Sequence, residues 1–205
     1  MLKGEFCSGV YRRTKFSHIC IAVKKPTFAE KLGATPHDSL LLQKAKRLGL
    51  PSPELLENLA VARGCWHYRS PDLAPAPHIP EVDFSNEELA VALLSPCLPY
   101  SPHTIRLGAA MLGATGNDVA SIASLAVDER CVAPARYIAD AALRYEPANP
   151  FWNQLLDHLP AAAAPKDGVM PHPTRFVSMT GMTRAGMHPV TIWIRPRADL
   201  ALAHG

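Results

Sequence analysis

The sequence has no run of about 18 apolar residues, so no segment of it can cross a membrane as a helix, and a membrane partner is not expected. Its first residues include Lys3 and Glu5 and show no apolar stretch leading to a small-residue cleavage site. Export is therefore not expected, and the cytosol is the expected compartment. Cysteine is scarce: five residues at 7, 20, 65, 97 and 131, an odd number with no CxxC pair. That pattern fits reduced thiols rather than a disulfide scaffold. Cys97 and Cys131 lie among apolar neighbours and read as small buried hydrophobes.

The loops and pairs that carry common chemistries are missing too. Neither GxxxxGK[ST] nor GxGxxG occurs. The nearest glycine cluster, LGATG at 112–116, is short, lacks a lysine and reads as a turn between helices. HExxH and GxSxG are also absent, so no catalytic residue and no cofactor is assigned. Two short pairs, His18 with Cys20 and Cys65 with His67, supply the ligand types of tetrahedral zinc. The single residue within each pair and the roughly 45 between them do not match a zinc finger, so separate roles are expected and no metal is assigned. Cys65, with His67 and Arg69 nearby, comes closest to an electropositive thiol, but neighbours in sequence seldom supply the base.

Proline is abundant, 20 in 205 residues against a usual share of roughly 5%. Apolar residues at 48% are those of a folded chain. Charge is distributed unevenly. Residues 1–70 hold 12 Lys/Arg against 5 Asp/Glu, residues 71–165 hold 4 against 11, and residues 166–205 hold 5 against 2. The basic, acidic, basic order predicts basic ends folded back on an acidic middle, and it also leaves room for a basic face that meets a charged partner.

The chain divides at its prolines. Residues 1–69 form a basic N-terminal segment with a helix pair, and 70–83 form a proline-rich linker of extended character. An acidic helical bundle follows over 84–160, then a C-terminal hairpin segment over 161–205. Asp38 and Gly49 bracket the first helix of the pair, Ser52 with Pro53 and Gly64 the second. The second helix carries Glu54, Glu57 and Asn58 where a recognition helix needs donors, so an αα-hairpin is expected rather than a DNA-reading motif. Trp66 and Tyr68 are expected to pack back on the pair with their polar ends near water.

In the middle, the capping box of Ser85 and Glu88 opens one helix, and Ser101 with Pro102 opens a second, which stops at Gly113. Asn117 or Asp118 starts a third, running to about Val127, Pro134 a fourth, and Asn149 with Pro150 a fifth. Arg136, Asp140 and Arg144 fall at i, i+4 and i+8 and are expected to form two ion pairs on a solvated face. The acids Glu81, Asp83, Glu87 and Glu88 sit at a helix start, where its dipole stabilises them. RFVSMTG and VTIWIRP alternate as the strands of a hairpin, with Gly181 and Gly186 around the turn. The β-branched run Ile19, Ile21 and Val23 is a candidate third strand.

The expected fold is mainly α, a compact helical bundle with a small C-terminal β-hairpin. The expected function is a non-catalytic protein-interaction or accessory module, binding a protein partner or self-associating. The competing reading is nucleic-acid binding by the basic ends. Arg12, Arg13, Lys15, Lys24 and Lys25 would serve from the N-terminal segment, and Arg175, Trp193, Arg195 and Arg197 from the hairpin.

Overall fold

The computed structural model describes residues 26–35, 37–69, 82–180 and 190–197. The candidates Arg12, Arg13, Lys15, His18, Cys20, Lys24 and Lys25, the run at 19–23, residues 70–81 of the linker and the hairpin turn lie outside them. Among the described residues the fold is mainly α, with eight helices and one two-stranded antiparallel sheet, as the sequence predicts. No described helix is long and apolar enough to cross a membrane.

The helix pair is α2 (Leu40–Arg47) and α3 (Pro53–Ala62). Ser39, not Asp38, caps α2, its hydroxyl accepting the Leu42 N–H at 3.0 Å. At the far end Gly49 (φ +84°) lets the chain turn back, and the Leu50 N–H reaches the Ala45 carbonyl at 2.8 Å. The bundle follows as α4 (Asn86–Leu93), α5 (Pro102–Leu112), α6 (Val119–Asp128), α7 (Val132–Leu143) and α8 (Pro150–His158). The capping box of Ser85 and Glu88 forms in full. Asp118 caps α6, and α7 starts two residues before Pro134.

An earlier helix was not expected. α1 (Phe28–Leu32) opens with a complete capping box of Thr27 and Glu30. Its first N–H groups, on Phe28 and Ala29, donate at 2.8 Å to Leu98 O and Pro96 O, which seats α1 on the loop after α4.

One hydrophobic cluster joins these parts, from Phe28 through Leu41, Leu56, Leu89, Ile105, Ile138 and Trp152 to Trp193. Polar links hold the helix pair to the bundle. Lys44 meets Glu88 at 2.7 Å, Arg63 donates to Asn86 Oδ1 and the Phe84 carbonyl, and Glu129 accepts the Leu41 N–H at 2.8 Å. The described helix pair of the first part thus packs onto the acidic middle. Glu87 accepts the Asp118 N–H at 3.0 Å, so this acid, with Glu88, is spent on structure.

The ion pairs expected on α7 do not form. Arg136 instead donates to the Leu156 and Leu159 carbonyls at 3.0 and 2.8 Å, satisfying carbonyls that the end of α8 leaves without a helical partner. Cys97, expected to be buried, is half-buried, and its thiol donates to the His37 carbonyl at 2.9 Å.

The sheet pairs β1 (Val177–Thr180) with β2 (Val190–Trp193), Val177 opposite Trp193 and Thr180 opposite Val190. A short 3₁₀ turn at Pro173–Phe176 leads into it. Trp193 is 1% exposed. Its indole lies against Gly113, Trp152 and Phe176, and its N–H points to the Ala109 carbonyl at 3.3 Å. Past β2 the Arg197 N–H donates to Gly64 O at 3.1 Å, so the C-terminal segment closes onto the end of α3.

Candidate functional site

Where α3, α5 and the hairpin meet, a cleft of about 490 Å³ opens. Its wall on the helix-pair side is the 3₁₀ turn Trp66–Tyr68 with Arg69 after it. That turn exists because Gly64 leaves α3 and Cys65 drops into the core, which swings the next three residues outward. His67 is exposed on the rim, while Tyr68 is 8% exposed. The second wall is the first turn and a half of α5, supplying His103 and Arg106. The third comes from the hairpin segment, with Thr174, Arg175, Val177 and Ile194.

Three arginines, Arg69, Arg106 and Arg175, line this cleft, and none has a carboxylate partner among the described residues. Arg69 lies over the Trp66 ring at 5.3 Å and Arg106 over the Tyr68 ring at 5.6 Å. His103 stands edge-on to Tyr68 and 3.9 Å from Glu57. Burial pushes the Tyr68 phenol up to about 12, partly offset by the Arg106 charge, so the ring stays neutral beside these cations. Contrary to expectation, the Tyr68 hydroxyl is shut away from water, and it has no hydrogen-bond partner among the described residues. Packing of the ring under Arg106 and His103 wins over solvation of one O–H.

The hairpin residues proposed for nucleic acid are separated. Only Arg175 reaches this cleft. Arg195 pairs with Glu146 and lines a smaller hollow of about 230 Å³ with Asn117, Asn149 and Trp152. Arg197 is exposed beside Gly64. Trp193 is a core residue and presents no free face for a base. Cys65 and His67 also part company. Cys65 is fully buried with its thiol 3.5 Å from Met111 Sδ, and burial pushes that thiol up to about 12. His67 faces the cleft. Among the described residues, no three His, Cys, Asp or Glu side chains are grouped to hold a metal ion.

The sequence pointed to one wall of this cleft, named Arg175 of a second only as a nucleic-acid contact, and gave no sign of the α5 wall. His67 and Arg69 stood out as a cluster. His103 and Arg106 look like any solvated helix face, and only the folding of α5 beside Tyr68 brings them to the same cleft. No protein-family model, curated protein or solved structure matches this chain.

Proposed function

We propose that this protein is a non-catalytic binding module that docks an acidic segment of a partner protein in the cleft between the Trp66–Tyr68 turn, α5 and the hairpin. The observation that carries this reading is that Arg69, Arg106 and Arg175 line one cleft and pair with no carboxylate among the described residues. Three arginines lining one hollow favour an anionic guest, and guanidinium forks suit carboxylates. The aromatic rings nearby favour a protein guest over nucleic acid. Trp66 already carries Arg69 over one face and Tyr68 is buried with Arg106 over its ring, which leaves little aromatic surface for a base.

The test is titration of the full chain with a labelled oligo-glutamate peptide and with single-stranded DNA of equal charge, at low and physiological salt. The peptide should bind more tightly, and the double variant R106E/R175E should weaken it by about tenfold or more while circular dichroism stays unchanged. Salt should weaken binding moderately, since the pairs form at a partly exposed surface. Preference for the DNA, with a steep fall in affinity as salt rises, would overturn this reading in favour of nucleic acid.

A further inference from the structure

The basic cleft is not lined by charge alone. Its hairpin wall brings Val177 and Ile194, both half-buried, to the same hollow as Arg69, Arg106 and Arg175. The strand geometry carries this apolar surface outward. Successive side chains of a strand point to opposite faces, and Trp193 is the one turned into the core, 1% exposed. Ile192 and Ile194, on either side of it, therefore share the outer face. Ile194 lies just past β2, yet its N–H donates to Phe176 O at 2.9 Å, which keeps the two isoleucines in one extended run. Alternate residues of such a run are roughly 7 Å apart.

Ile192 is 46% exposed. Among the described residues it shares that exposure with two other large apolar side chains, Leu40 and Val127. Leu40 begins α2 and Val127 lies near the end of α6, and neither lines the cleft. Ile192 alone adjoins it, through Ile194. Across the sheet Ile192 stands opposite Ser178, a side chain too short to cover it. The arginine-lined cleft thus continues into an apolar strip on the outer face of the hairpin.

We propose that the guest of this cleft is an acidic segment that runs directly into alternating apolar residues, an inference that rests on the reading of the cleft as an acidic dock. Carboxylates of the partner protein settle among Arg69, Arg106 and Arg175, and leucine-sized side chains next to them in an extended chain settle on Ile194 and Ile192. Charge complementarity selects the acidic part. Removal of apolar surface from water adds affinity that charge does not supply. The two parts together set specificity. A purely acidic chain leaves the isoleucines wet, and a purely apolar one leaves the arginines without a partner, so neither matches the mixed segment.

Peptides of equal length and charge, titrated into the full chain, test this. One has four glutamates followed by serine, leucine, serine and leucine; a second has the reverse order; two controls carry serine in place of each leucine. The better leucine peptide should bind about tenfold more tightly than its control. That ratio should persist from low to physiological salt, although salt weakens both peptides. Ile192→Ser should erase most of the ratio and leave the affinity for the controls unchanged. The comparison in the parent protein needs no variant, so a misfolded variant does not shelter the idea. Equal binding of leucine and control peptides overturns the apolar strip and leaves the acidic dock standing. A leucine advantage that Ile192→Ser does not reduce places the apolar residues elsewhere and also overturns it. If no peptide binds, the acidic dock itself fails and this inference falls with it.

Discussion

Two helices in this protein end in the same way with different residues. At the end of α3, Cys65 N–H bonds to Ala60 O at 3.0 Å and Gly64 N–H to Val61 O at 2.9 Å. At the end of α6, Cys131 N–H bonds to Ala126 O at 2.9 Å and Arg130 N–H to Val127 O at 3.1 Å. Both are Schellman turns, and both deliver a cysteine into the core with no exposed surface. Yet the residue forced to positive φ is Gly64 (φ +111°) in one and Arg130 (φ +54°) in the other. The hydrogen bonds require only the positive φ. Glycine is imposed by what comes close. A Cβ at Gly64 would stand 2.5–2.8 Å from the Arg197 backbone, whereas Arg130 points into solvent.

Gly64→Ala is therefore expected to be the most damaging change. It forces an alanine into a conformation L residues avoid, and it pushes the C-terminal segment off the helix pair. We expect a loss of about 3 kcal/mol or more. Gly49→Ala is the matched control, with positive φ and open space around it, and should cost about 1 kcal/mol. Urea denaturation of the two variants measures the difference. Equal losses would mean that the Arg197 backbone does not lie against Gly64 in solution.

The same C-terminal segment has a second anchor, which is electrostatic where the first is steric. Glu146 accepts from Trp152 Nε1 and Asn149 Nδ2, each at 3.0 Å, and pairs with Arg195. Burial alone would raise the Glu146 carboxyl, but these donors outweigh it and hold it below its usual value. The unfolded chain then binds the proton more readily than the folded one. The contribution to stability is complete above the ordinary glutamate value of about 4.3 and is lost as pH falls further. Glu146→Ala should cost about 2 kcal/mol at neutral pH by stranding the indole N–H and Arg195. It should also flatten the fall in stability measured from about pH 5 to 3. An unchanged acid limb would remove the donors' effect on this carboxyl.

How far the sequence disclosed this structure follows from the same two turns. Gly49 and Gly64 announce helix ends because glycine is the usual residue at that position, and both ends fall where expected. Arg130 announces nothing. Cys131 closes one helix and opens the next, so the start of α7 was read late, from Pro134. The residues of the proposed site divide along the same line. His67 and Arg69 are adjacent in the chain and visible as a cluster, while His103, Arg106 and Arg175 join them only through tertiary packing. Alternation revealed the hairpin strands but not that Trp193 turns inward, because an aromatic on a two-stranded sheet fits either face.

The smallest expected effect is at Arg130, and it has the opposite sign. Holding a non-glycine residue at φ +54° costs about 1–2 kcal/mol, partly returned because arginine restricts the unfolded chain more than glycine does. Arg130→Gly should therefore raise stability by about 0.5–1 kcal/mol, seen as a higher urea midpoint with an unchanged slope. The exposed side chain makes no ion pair among the described residues, so little is given up with it. If the midpoint falls instead, the arginine side chain stabilises the turn. The two helix ends would then differ in what holds them as well as in what approaches them.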